Sequence, residues 1–159
     1  MSIDGMAILL ISFWQVGIGV QQAREAYFRS AESKKQALYF EQMLDSISED
    51  ASPVLVCYKG AAEMLKAKNT VNPFNKLFFF KRGKNLIDRS IARDTSNLEC
   101  HFIRFTIQRN LPGFLDYNTN VRKDSIMIVS ELDNMTDLNL KNKIMAYFNH
   151  QKATVKNKQ

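Results

Sequence analysis

The sequence predicts an all-α protein, an array of about seven antiparallel helices in a single domain. Three observations carry that expectation. Turn-forming residues are scarce, with six Gly and three Pro in 159 residues, and helices need fewer of them than strands joined by tight turns. Apolar residues recur at helical spacing between short polar breaks. A composition of 45% hydrophobic and 24% charged residues is that of a folded globular chain, and at this length such a chain buries about 70% of its unfolded surface without staples.

Taken in order, "QQAREAYFRSA" places Ala23, Ala26, Tyr27 and Ser30 on one face, and "ESKKQALYFEQMLDSI" repeats the pattern with Ala37, Phe40, Met43, Leu44 and Ile47. These two are expected to pack together. "SEDASP" ends the pattern, with Ser52 as N-cap and Pro53 in the first turn of a third helix, where its missing N–H costs nothing. That helix presents Val54, Leu55, Tyr58, Ala61, Ala62 and Leu65 on one side, and Gly60 permits close approach by a neighbour. After "NTVNPF" comes the longest helix, to about Arg93. Its "LFFF" at Leu77 to Phe80 predicts an element covered on several sides, the centre of the fold.

"RDTSN" breaks the chain again, and Ser96 or Asn97 can cap a fifth helix whose Leu98, Phe102, Phe105 and Arg109 share a face. Pro112 and Gly113 stop it. Asn118 or Asn120 then starts a sixth helix with Ile126, Val129 and Leu132 inward, and Thr136 or Asp137 caps a seventh. Residues 151–159 read as a polar tail that frays, leaving residues 21–150 as the helical domain.

Residues 6–20, "MAILLISFWQVGIGV", form a 15-residue apolar run, shorter than the ~20 residues of a spanning helix. Its length and the small residues Gly17 and Gly19 suit a signal peptide, although the preceding "MSIDG" carries Asp4 and no Lys or Arg. An uncleaved anchor and an apolar helix packed on the core are the alternatives. Export, with a periplasmic destination, follows from the first; a cytoplasmic protein follows from the last. Cys57 and Cys100 are too few for a disulfide framework and read as small core residues, a single disulfide being the alternative.

Charge is concentrated rather than spread. Between Lys66 and Arg93 stand eight basic residues and one acid, Asp88, so this segment carries more than the whole net charge of +6. The candidate contact surface is Lys81, Arg82, Lys84, Arg89 and Arg93, extended by Arg104 and Arg109. Such a patch favours an acidic protein or peptide, a lipid headgroup or a phosphate backbone, and a solvated helix face is the plain alternative. Phe74, Phe78, Phe79 and Phe80 interleave with the bases as base-stacking residues do, but they lie at core spacing and are expected to be buried. With an exported chain, that argues against nucleic acid.

Chemistry finds little support. "DYNTNVRKDSIM" from Asp116 begins like a calcium loop, but the required glycine and glutamate are replaced by Val121 and Met127. It reads as a connecting loop. His101 and His150 are the only histidines, and no Cys/His spacing suits zinc. No nucleophile elbow or phosphate-cradling glycine loop is present. Glu99, His101 and Arg104 at the head of the fifth helix read as a surface cluster. No cofactor is expected.

"GKNLIDRSIARDTSNLECHFI" resembles the second half of a tetratricopeptide unit running into the next one. Gly83 and Ser90 match the small crossing positions and Ile87 the large one, while Thr95 stands where proline is usual. The resemblance covers about a quarter of the chain and implies right-handed stacking of helical hairpins. "YKGAAEMLKAK", "NPFNKLFFFKRGKNL", "HFIRFTIQRNLPGFLDYN" and "KDSIMI" together resemble a group of short exported helical proteins of Gram-negative bacteria. That resemblance implies export and an all-α fold, and no activity. The sequence therefore points to a non-enzymatic, exported, tetratricopeptide-like domain binding a protein or peptide. A membrane-associated helical protein held by residues 6–20 and the basic patch is the alternative, and an enzyme with a dispersed site the second.

Overall fold

The computed structural model describes residues 17–156, with side chains as far as Ala153. The signal-peptide, anchor and core-helix readings of residues 6–20 fall almost wholly outside the described residues. Seven α-helices follow in order: α1 (Val20–Arg29), α2 (Lys34–Asp45), α3 (Pro53–Asn69), α4 (Pro73–Arg93), α5 (Leu98–Asn110), α6 (Val121–Glu131) and α7 (Leu138–Lys156). A single 3-10 turn spans Gly113–Leu115, and among the described residues there is no strand.

The helix starts follow local chemistry. Ser33 accepts from the Gln36 amide at 3.2 Å, Asn72 from the Phe74 and Asn75 amides, Asn97 from that of Cys100, and Asp137 from that of Leu140. Each satisfies a donor that the first helical turn leaves unpaired. Pro53 and Pro73 occupy the first helical positions of α3 and α4, where proline is preorganised. The far end of α2 is satisfied from another helix: the buried Lys59 donates from Nζ to the carbonyl oxygens of Asp45 and Ile47.

Two apolar clusters make the core. The larger gathers Ala23, Phe40, Leu44, Tyr58, Ala61, Ile87, Cys100 and Ile103 from α1 to α5, with Tyr117 from the following loop. The smaller joins Phe102 and Phe105 of α5 to Ile128 of α6 and to Leu140 and Ile144 of α7. Helix α5 therefore has one side in each cluster. The rings of Phe28 of α1 and Phe102 stack at 6.1 Å within the smaller cluster.

Helices α3 and α4 meet backbone to backbone where Gly60 faces Gly83. A Cβ on Gly83 would lie 2.7 Å from the Gly60 carbonyl oxygen, and a Cβ on Gly60 would lie 2.7 Å from Ile87 and 2.9 Å from the Gly83 carbonyl oxygen. Only glycine at both positions lets the backbones come this close, and Ile87 is then fully buried against α3. Cys57 and Cys100 are free, buried thiols, with Cys57 Sγ 3.8 Å from the Cys100 carbonyl oxygen. Burial pushes the Cys57 thiol well above its usual range, an effect reinforced by Cys100, which makes it a packing residue rather than a nucleophile.

Four expectations are corrected. The centre of the fold is α3 and α5, not α4: Phe74 is 81% exposed, Phe78 58% and Leu77 48%, while Phe79 and Phe80 are half-buried. In the first two turns of α4, Phe79 lies beside Lys66 of α3 and Phe80 against Tyr117, and the face that carries Phe74, Leu77 and Phe78 is left to solvent. Helix α6 turns a different face inward, burying Asp124 and Ile128 while Ile126 and Val129 stay exposed, because Asp124 is held by α5. Glu99, His101 and Arg104 are buried, not a surface cluster. The polar stretch from Gln151 is helical as far as Lys156.

Candidate functional site

The basic residues of α4 divide by what they hold. Arg89 Nη1 lies 2.9 Å from Glu49 Oε2 and Arg82 Nη2 lies 3.7 Å from Glu49 Oε1. Arg93 donates to the carbonyl oxygens of Glu49 at 3.1 Å and Ala51 at 2.8 Å. Arg82, Arg89 and Arg93 thus fasten the exposed side of α4 to the loop between α2 and α3. Lys84 Nζ lies 5.1 Å from the centre of the Tyr117 ring, within cation–π range, and Lys81 is exposed. Glu49 was not expected in this role, since "SISED" reads only as a break.

Lys81, Lys84 and Arg89 come together along an open concavity of about 460 Å³, shared with Asn85, Asp88 and Ala92. The one carboxylate lining it is already engaged: Tyr117 donates to Asp88 Oδ1 at 2.9 Å and Arg104 Nη1 reaches the same oxygen at 3.4 Å. Arg109 does not join this group. It lines a second open groove, about 690 Å³, with Arg122, Phe105, Tyr147 and Phe148.

Arg104 leaves the expected surface set altogether. It is buried on α5, and its Nε and Nη2 donate to Asp124 Oδ2 and Oδ1, each at 2.8 Å. His101 completes the cluster, with Nδ1 2.8 Å from Asp124 Oδ1 and Nε2 3.0 Å from the Thr95 carbonyl oxygen. Burial alone would raise the Asp124 carboxyl, but the hydrogen bonds from Arg104 and His101 outweigh it and hold the group below the ordinary aspartate range.

A second buried cluster lies on the same helix. Arg24 of α1 clasps Glu99 through Nε and Nη2 at 2.7 and 2.8 Å and reaches Asp137 and Asn139 at the start of α7. Tyr58 donates to Glu99 from α3. The Glu99 hydrogen bond leads in raising the Arg24 guanidinium above its usual range; burial and the adjoining Glu99 charge push the Tyr58 hydroxyl up. Arg24 was missed because it interrupts the apolar face of Ala23, Ala26 and Tyr27. Asp124 could have been found as the residue one turn before Ile128.

Both clusters are ionisable but closed. Neither of these two concavities reaches Glu99, His101 or Asp124, and the contacts of both clusters tie helices together, α1 to α5 and α6 to α5. Among the described residues, no three His, Cys, Asp or Glu side chains gather as metal ligands, and no helix is long and apolar enough to cross a membrane. Comparisons with family models, with curated proteins and with solved structures gave no match.

Proposed function

We propose that the protein is an exported, non-enzymatic module built on tetratricopeptide-like antiparallel hairpins, and that it binds an acidic protein or peptide along the outer side of α4. One observation carries this reading. Lys81, Lys84 and Arg89 line a common concavity against a single acid, Asp88, whose Oδ1 already accepts from Tyr117 and Arg104. The concavity therefore presents net positive charge to solvent, and complementary charge steers an acidic partner to it. The hairpin reading is supported by the three-residue connection between α3 and α4 and by the burial of Gly83, Ile87 and Ser90 where the resemblance puts small, large and small residues. Export rests on the apolar run at residues 6–20 and on the resemblance to exported helical proteins.

Fluorescence anisotropy of a library of Asp- and Glu-rich peptides against the full chain tests the site. The expected result is salt-sensitive binding that falls at least tenfold in the triple variant Lys81→Glu, Lys84→Glu, Arg89→Glu, with the helical circular-dichroism signal retained. Equal binding by the triple variant, or no binding by the native chain, overturns the proposal.

A further inference from the structure

The first turns of α4 combine two features that a folded protein ordinarily keeps apart. Val71 is 94% exposed, and Phe74, Leu77 and Phe78 follow it into solvent. The last three are spaced i, i+3, i+4, so they form one stripe on the helix. Lys81 continues that stripe, and Lys84 and Asn85 follow it. At a rise of ~1.5 Å per residue, the apolar stripe is about 6 Å long, and Lys81 stands about 4–5 Å beyond Phe78.

The electrostatic setting is one-sided. Between Met64 and Ile87 the chain has six bases and no acid. Two of the six are engaged within the molecule, Lys66 by Asp45 and Glu63 and Arg82 by Glu49. Lys68, Lys76 and Lys81 are exposed and stand before, within and just after the run of apolar residues in the sequence, with no carboxylate among them.

We infer that this end of α4, with the turn before it, is an interfacial element that inserts Val71, Phe74, Leu77 and Phe78 into the surface of an anionic membrane. The apolar side chains share one face, as in interfacial helices that lie in the membrane plane and bury such a face ~5–10 Å into the boundary between headgroups and acyl chains. The neighbouring lysines are then left at the level of anionic headgroups. Neither of the two concavities described above includes these four residues. Nucleic acid fits less well, because stacking on bases uses spaced aromatic faces along a basic track, whereas here aliphatic Val71 and Leu77 complete a compact cap. The element is separate from the Lys81, Lys84 and Arg89 concavity except for Lys81 at their border, so lipid and peptide binding can be broken independently.

The test is sedimentation of the full chain with vesicles of phosphatidylcholine alone and of phosphatidylcholine with 30% phosphatidylserine by design. Native protein is expected to bind the anionic vesicles, to bind neutral ones at least tenfold more weakly, and to be released by salt. Phe74→Ser with Phe78→Ser should lower anionic-vesicle binding at least tenfold with the melting curve unchanged, since both rings are already in solvent. The native chain and the double variant share residues 1–20, so the difference between them reports α4 alone. Absence of vesicle binding by the native chain, or equal binding by the double variant, overturns the inference. So does a dimer, or a complex with a single-stranded oligonucleotide, that the double variant abolishes while vesicle binding is unaffected.

Discussion

Helix α5 and the first two turns of α4 invert each other. The former carries Glu99, His101, Arg104, Thr106 and Gln108 and buries them all; the latter carries Phe74, Leu77 and Phe78 and exposes them all. The difference lies in the neighbours. Helix α5 is covered on both sides, by α3 and α1 and by α6 and α7, and its buried ions Glu99 and Arg104 meet opposite charges brought by α1 and α6. The start of α4 lies outside the close approach at Gly60 and Gly83, and nothing among the described residues covers its stripe. Burial here is a property of where helices cross: the ions buried on α5 are paired, while Gln108 is buried with neither of its side-chain polar atoms hydrogen-bonded.

The comparison is most sharply broken at Arg104. Arg104→Ala leaves Asp124 wholly buried with His101 as its remaining partner, and breaking a buried pair in this way costs ~3–5 kcal/mol. In a chain of this size that lowers the melting temperature by roughly 10 °C. A loss below 1 kcal/mol in urea unfolding would mean that the α5–α6 contact does not depend on the pair.

The next effect belongs to the α3–α4 crossing. Gly83→Ala gains up to ~1 kcal/mol of helix propensity, but its new methyl meets the Gly60 carbonyl at 2.7 Å and the Met64 amide nitrogen at 3.0 Å. Backbone cannot step aside cheaply, and overpacking costs ~1–3 kcal/mol, so the expected sign is a loss. Stabilisation by the variant in the same urea experiment would show that the helices stand further apart.

Acid should weaken the α5 side more gradually. The folded-state value of Asp124 is depressed, so its contribution is fully present above the unfolded aspartate value of about 3.9 and is lost as pH falls through the lower folded value. Asp137 shifts in the same direction, through its backbone hydrogen bond from Leu140 and then Arg24. Glu41 runs opposite: burial raises it, so its penalty at neutral pH fades in acid. The urea midpoint is expected to fall below pH 4, with a shallower fall in Asp124→Asn. Parallel curves would remove Asp124 from the acid response. The smallest effect is that of Phe74→Ser, within ~0.5 kcal/mol of the native chain as for other exposed positions.

The all-α class, the order of the helices, the capping residues Asn97 and Asp137 and the position of Pro53 in the first turn of α3 could be read from the sequence, because each depends on local chemistry. Gly60 signalled a close approach for the same reason. What could not be read was which face meets which neighbour. Of the apolar residues Ile126, Val129 and Leu132, only Leu132 packs on the core, and Asp124 is turned inward with Ile128 because its partner Arg104 comes from 20 residues earlier. The basic patch was visible as composition. That Arg104 lies beneath it, that Arg109 lies on a different groove, and that Glu49 engages Arg82 and Arg89 all depend on contacts between distant segments.

Hydroxyl-radical footprinting of the full chain, read residue by residue by mass spectrometry, tests the inversion most directly. Phe74 and Phe78 are expected to oxidise rapidly, while Phe40, Tyr58 and Phe102 stay protected until the protein unfolds. Protection of Phe74 and Phe78 equal to that of Phe102 in the native chain would contradict the account, because the apolar end of α4 would then be part of the core.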